Sequence, residues 1–258
     1  CDGKVGMMGK SWGGFNSLQV ASLQPPALKA IIAVAATDDR YADDIHFMGG
    51  CLLNENLTWS ATMLTFNTRP PDPLIVGECW LDMWKERLAA DEPWALTWLE
   101  HQRRDVYWEH GSVCENYDAI QVPVYAITGW SDGYSNVISR LMAGLKGPRR
   151  GVVGPWAHVY PHDGTPGPAI GFLQDALRWW DRWLKDRDTG IDHEPVYRVW
   201  MQESVAPAVN YTERPGRWVS EDQWPSSGIH QKMLHLHGDN TLQDAPGEPG
   251  ERAFRSPA

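Results

Sequence analysis

The opening residues restrict the fold more than any other stretch. Lys4-Val5-Gly6-Met7-Met8 is a short apolar run that turns through Gly9-Lys10-Ser11-Trp12-Gly13-Gly14 into Phe15–Leu23, whose spacing suits a helix. Pro25-Pro26 stops that helix. Leu28–Ala36 follows, nearly unbroken in apolar residues and rich in Ile, Val and Ala, as expected of a strand covered on both faces in a parallel sheet. A strand, a sharp glycine-rich turn, a helix and a second strand together predict an α/β fold built on a parallel sheet.

The βα alternation is then interrupted. From Asp38 to about Asp118 the helical spacing of Leu81–Ala90 and Pro93–Tyr107 carries many tryptophans, with Pro70-Pro71-Asp72-Pro73 as a break. Residues 38–118 therefore read as a helical insertion. Alternation resumes with Val122–Thr128 as a strand, a helix near Ser135–Leu145, Gly151–Val153 as a short strand and Phe172–Lys185 as an amphipathic helix. Residues 1–37 and 119–188 are thus expected to form one sheet-based domain. After Pro195, alternating runs such as Val196–Met201, Arg217–Val219 and Lys232–Leu236 are separated by turn residues, which predicts an antiparallel β-domain over 195–258.

Composition narrows the function classes. The 258 residues are 42% hydrophobic and 22% charged, enough for a large core. A formal charge of -10 disfavours a surface that tracks phosphates, so nucleic acid is not an expected partner. No apolar run approaches the roughly 20 residues that cross a bilayer, and no membrane association is expected. A soluble, cytoplasmic location is the default, with the compartment left open. The four cysteines, Cys1, Cys51, Cys79 and Cys114, form no CxxC pair, and free thiols are expected, with a bridge such as Cys51 to Cys79 left open. The 15 tryptophans are unusual and are expected mostly in the core, some lining a pocket.

Gly9-Lys10-Ser11-Trp12-Gly13 has the G-x-S-x-G form, in which a strand turning sharply into a helix presents a serine hydroxyl at the sheet edge. An ordinary hydroxyl is a poor nucleophile, so a histidine must take its proton and an acid must orient that histidine. In this class of fold the order along the chain is serine, acid, histidine. Asp132 follows the strand ending near Ile127, and His158 follows Gly151–Val153, which makes Ser11, Asp132 and His158 the expected triad. Asp38, after the strand Leu28–Ala36, is the second candidate for the acid. The backbone N–H of Trp12 is the expected oxyanion donor. Trp130 and Tyr134, beside Asp132, are the expected substrate-binding residues. His158 and His162 have the spacing of a metal pair, but Pro161 breaks the helix such a pair needs, so neither metal nor cofactor is expected. His46, His101 and His110 fall in the insertion, where solvated or hydrogen-bonded roles are expected.

Gly9–Asn16, Gly129-Trp130-Ser131-Asp132-Gly133-Tyr134, Gly154-Pro155-Trp156-Ala157-His158 and Trp179-Trp180-Asp181-Arg182-Trp183-Leu184 together resemble the CocE/NonD hydrolases. These are relatives of α-amino-acid ester hydrolases and Xaa-Pro dipeptidyl-peptidases. The resemblance implies an α/β-hydrolase sheet, a helical cap at 38–118, the start of a C-terminal jelly roll, and a small-molecule ester or acyl substrate. It also implies strands ahead of Ser11 and a second oxyanion donor on a tyrosine there, so a partial sequence is expected. Ester hydrolysis is the leading reading, with Xaa-Pro dipeptidyl-peptidase and α-amino-acyl ester activity as alternatives. A non-catalytic scaffold whose β-domain binds carbohydrate or protein is the alternative of another class. Self-association into a homo-oligomer stays open.

Overall fold

The structure is a computed structural model that describes residues 2–251 and residues 253 and 255. In chain order it opens with β1 (Val5–Lys10), α1 (Trp12–Ser22) and β2 (Leu28–Val34). A two-strand hairpin, β3 (Phe47–Met48) and β4 (Cys51–Leu52), leads into the inserted helices. These are α2 (Glu55–Asn67), α3 (Pro73–Val76), α4 (Trp80–Ala90), α5 (Trp94–Glu100) and α6 (Val106–Glu109). Then come β5 (Val124–Gly129), α7 (Val137–Gly144), β6 (Arg149–Gly154), α8 (Phe172–Lys185), β7 (Tyr197–Gln202) and β8 (Gly216–Glu221). A short hairpin of β9 (His235–Leu236) and β10 (Leu242–Gln243) follows.

The central sheet has the order β1-β2-β5-β6-β7-β8, parallel from β1 through β7, with β8 antiparallel to β7. It is an α/β-hydrolase-like mixed sheet with a helical insertion. Along β2 the pleat sends Ile31 and Ala33 to one face and Ala30, Ile32 and Val34 to the other. The first face packs with Leu18 of α1 and Ile138, Leu141 and Met142 of α7; the second packs with Phe172, Ala176 and Trp179 of α8. Those three α8 residues are spaced to lie on one side of a helix, which explains how a helix carrying five charged residues still docks. Burial on both faces is why Ala30–Val34 reads as an uninterrupted apolar run, with the exposed Lys29 near its start.

Two expectations are corrected. The alternating run after Pro195 does not open a separate antiparallel domain at that point, because β7 pairs in parallel with β6 and extends the central sheet. Its pattern alternates because an outlying strand is only half covered. By compactness the chain divides after Trp224, and the second unit, residues 225–258, contains the β9–β10 hairpin among its described residues. The helical run expected over Pro93–Tyr107 splits at residues 101–105, where Asp105 accepts a hydrogen bond from Tyr107 N at 3.0 Å and starts α6 afresh. Helix α2 is an element the hydrophobic pattern did not mark. Cys51, Cys79 and Cys114 are free thiols, and Cys1 lies outside the described residues. Among the described residues no helix is long and apolar enough to cross a membrane.

Candidate active site

Parallel strands deliver their C-terminal ends to one edge of a sheet. Here Lys10 pairs with Val34, Val34 with Ile127, and Gly129 with Gly154, so the segments after β1, β2, β5 and β6 emerge side by side. Ser11 follows β1, the Asp38–Asp44 loop follows β2, Asp132 follows β5 and His158 follows β6.

Ser11 is the hinge between β1 and α1 and has φ 58° and ψ −122°, a conformation that strains a residue with a side chain. The surroundings hold it there. Its N–H donates to the Val34 carbonyl at 2.8 Å, and its own carbonyl accepts from the N–H groups of Gly14 and Phe15 at 2.9 and 3.1 Å. Two glycines make the turn passable: a Cβ on Gly9 would sit 2.3 Å from the Gly13 carbonyl carbon, and one on Gly14 would sit 2.7 Å from the Ala36 Cβ. Trp12 is the first residue of α1, so its N–H has no carbonyl partner within the helix and is available to a ligand.

The loops after β5 and β6 are stitched together by Trp130 N donating to the Gly154 carbonyl at 2.9 Å and Ser131 N to the Trp156 carbonyl at 3.0 Å. This sets Asp132 against His158. Asp132 Oδ2 lies 2.8 Å from His158 Nδ1, while Asp132 Oδ1 accepts from Tyr134 N at 2.9 Å. The Asp132 side chain is 1% exposed and that of His158 is 42% exposed, the contrast wanted between a group that orients and a group that meets substrate. Lys10 Nζ donates to the His158 carbonyl at 3.2 Å and ties the histidine loop to the end of β1.

Ser11, Trp12, Asp132, Tyr134 and His158 all line one cavity of about 840 Å³. Its opposite wall comes from the insertion and the loop before it, including Arg40, Asp44, His46, Trp59, Trp94 and Trp98. Trp12 makes edge contacts with Trp59 and Trp94 at ring-centroid separations of 6.3 and 5.6 Å. Tyr134 donates from its hydroxyl to Asp44 Oδ1 at 3.0 Å. Burial and the adjacent Asp44 charge push its phenol well above the usual range, so it stays protonated. Asp44 is also paired with Arg40.

Two sequence expectations come out differently. Trp130 is not among the cavity-lining residues; its indole N–H donates to the Trp200 carbonyl at 2.7 Å and pins the loop to β7. Asp38, the second candidate acid, is fully buried in an ion pair with Arg140, whose Nε lies 3.2 and 3.1 Å from its two oxygens, and it accepts from the Tyr117 hydroxyl. It is occupied elsewhere. The polar cavity residues Arg40, Asp44 and His46 were not foreseen, since no local motif marks them. Among the described residues there is no group of three or more His, Cys, Asp and Glu side chains placed to hold a metal.

Comparison with known proteins places this geometry in context. The family model described as X-Pro dipeptidyl-peptidase (S15 family) matches residues 1–160. Cocaine esterase from Rhodococcus sp. (strain MB1 Bresler) is 30% identical over 96% of this chain and 47% of its own length. A CocE/NonD family hydrolase from Staphylococcus aureus superposes with a TM-score of 0.70 at 18% identity, over 94% of this chain and 39% of the other. An α-amino acid ester hydrolase superposes with a TM-score of 0.65 at 21% identity, over 98% and 45%. At these identities the two structures speak for the fold alone. The chain spans less than half the length of each of these three proteins. With the family model covering more than half of its residues, the chain belongs to the X-Pro dipeptidyl-peptidase (S15) family, among the CocE/NonD hydrolases.

Proposed function

We propose that this chain carries the catalytic centre of a serine hydrolase that cleaves carboxylic esters through an acyl-enzyme on Ser11. The observation that carries the reading is the coincidence, on one cavity, of a strained serine hinge and a histidine hydrogen-bonded to a buried carboxylate. Asp132 accepts from Nδ1–H of His158 and leaves Nε2 as the base. Ser11 Oγ attacks the ester carbonyl carbon as Nε2 takes its proton, and the carbonyl oxygen becomes an oxyanion that the Trp12 N–H stabilises. Collapse breaks the bond to the leaving alkoxide, which receives the proton from Nε2. Water then attacks the acyl-enzyme by the same path in reverse, releasing the acid and restoring Ser11.

The ester preference rests on the carboxylates around the cavity. An enzyme that selects an α-amino group needs a free carboxylate for the ammonium, but Asp44 is paired with Arg40 and bonded by Tyr134, and Asp132 is engaged by His158. The name of the Rhodococcus relative agrees with an ester substrate. One observation favours the amine-bearing alternative: Glu55 at the start of α2 lines the cavity and forms no ion pair among the described residues. Residues 38–118 are assigned as the cap, and residues after Trp224 as the opening of the jelly roll that the family resemblance implies, because β7 and β8 belong to the central sheet.

The test is a substrate panel on the intact protein: a p-nitrophenyl acyl ester, an α-amino-acid methyl ester and an Ala-Pro anilide, with Ser11→Ala as control. The p-nitrophenyl ester should give the highest kcat/KM, and Ser11→Ala should lose it. Turnover led by the Ala-Pro anilide would replace the ester reading with the peptidase one, and no turnover of any member would favour a binding scaffold.

A further inference from the structure

The residue before the nucleophile carries a charge that the reaction itself does not use. Along β1 the pleat sends Gly6, Met8 and Lys10 to the face covered by α8, where a Cβ on Gly6 would sit 2.5 Å from the Trp180 ring, while Met7 goes to the α1 side. Lys4, just ahead of the strand, pairs with the Asp186 carboxylate. Lys10 forms no ion pair among the described residues. Both of its contacts belong to the loop after β6: Nζ donates to the His158 carbonyl at 3.2 Å and lies 5.8 Å from the centre of the Tyr160 ring. Tyr160 is stacked on Phe172 of α8 at a ring-centroid distance of 5.9 Å, so the ammonium meets a ring that is itself held. No backbone N–H donates to the His158 carbonyl among the described residues.

We infer that Lys10 is a positioning residue that sets the separation of Ser11 and His158 by clamping the histidine loop to the residue immediately ahead of the nucleophile. This inference rests on the reading of those two residues as nucleophile and base. Ser11 is held through its backbone to the end of β2, and the His158 ring is held at Nδ1 by Asp132 after β5. Neither bond joins the serine segment to the histidine segment. A ring anchored at Nδ1 swings when its backbone drifts, and Nε2, the base, swings with it. Lys10 removes that freedom, because one peptide bond links it to Ser11 and one hydrogen bond links it to the His158 backbone. Proton transfer needs Oγ and Nε2 within hydrogen-bond reach, so a loop drift of about 1 Å costs up to about a hundredfold in rate. Methionine matches the length of lysine but has neither the donor nor the charge. Arginine keeps both.

The test combines p-nitrophenyl ester turnover with amide hydrogen exchange, read by peptide mass spectrometry, on the intact protein. In Lys10→Met, kcat should fall on the order of tenfold to a hundredfold with KM within about twofold, and exchange over residues 157–163 should quicken while that of the central strands stays as in the wild type. Lys10→Arg should restore most of kcat and the wild-type exchange. Lys10→Gln, one bond shorter and uncharged, is the second variant and should behave as Lys10→Met does. A lysine that served stability alone would leave kcat of the folded protein unchanged. Wild-type kcat in Lys10→Met, a loss of kcat with unaltered exchange over 157–163, or a Lys10→Arg protein as slow as Lys10→Met would each overturn the inference. An active wild type with insensitive Lys10 variants defeats this inference alone. A wild type that turns nothing over defeats the hydrolase reading, and the exchange rates still decide whether Lys10 holds the loop.

Discussion

On the sheet side of the cavity, Ser11, Asp132 and His158 each stand within four residues of a strand end, and backbone hydrogen bonds decide where they go. On the cap side, Arg40, Asp44, His46 and the tryptophans come from a loop, a two-residue hairpin and short helices, placed by ion pairs and aromatic contacts between segments distant in sequence. Asp38 and Asp43 are both bound by Arg140 of α7, and Asp39 by Arg104 from the insertion. The sheet side is thus specified locally and suits a fixed chemistry, while the cap side is specified through contacts that substitutions can rearrange without touching the strands, which suits choice of substrate.

The largest effect should separate two buried aspartates. Asp132→Asn keeps the shape of the acid but removes the acceptor that fixes the His158 tautomer, and kcat should fall about 10⁴-fold with little change in Tm. Asp38→Asn should do the reverse: it weakens the Arg140 and Tyr117 contacts and should cost about 3 kcal/mol of stability in denaturant melts, with kcat lowered far less. An Asp38→Asn protein that is stable and inactive would erase the distinction between the two sides. Next comes the turn itself. Gly9→Ala places a methyl group 2.3 Å from the Gly13 carbonyl carbon, so it should lower stability by about 3 kcal/mol and reduce Ser11 reactivity together, as calorimetry and ester turnover on the same sample would reveal.

Trp130→Phe should be milder. Losing the indole N–H to Trp200 bond costs about 1 kcal/mol of stability, and KM should stay within about twofold, since Trp130 does not line the cavity. A large rise in KM would return this residue to the substrate site. The smallest effect concerns acid stability on the cap side. Burial works against the charged form of Asp39, but the N–H groups of Ala42 and Tyr41 and the Arg104 guanidinium outweigh it and hold its carboxyl below the ordinary 3.8. Its ionised form therefore contributes stability above that value, and the contribution is lost as pH falls through the lower folded value. Asp39→Asn should remove this part of the acid-side slope of stability against pH, with the wild type remaining folded to slightly lower pH.

The same division explains what the sequence alone made legible. Strands β2 and β5 announce themselves because burial on both faces demands continuous apolar residues, and the triad candidates follow because each lies just past such a strand. Helix α2 hides because its buried positions are Asn56 and Ser60 while Leu57 and Phe66 face out, the inverse of an amphipathic pattern. Asn56 is inside because it satisfies three carbonyls and His46, and Ser60 because it accepts from Ala95 N at 2.8 Å. These are polar reasons for burial that a hydrophobic pattern cannot carry. The pairing of strand β7 is hidden for a related reason: an alternating pattern does not say whether a strand's neighbour runs parallel or antiparallel, and β7 runs parallel to β6. The Asp44 to Tyr134 and Asp38 to Arg140 contacts join residues 90 and 102 positions apart and leave no local trace.

The proposed chemistry turns on Ser11 as the nucleophile, activated by the His158–Asp132 pair. Labelling the intact protein with a fluorophosphonate ester and locating the adduct by peptide mass spectrometry tests it directly. One adduct is expected, on Ser11, absent in Ser11→Ala and formed far more slowly in His158→Ala. An adduct on another residue, or none on the folded wild-type protein, would contradict it.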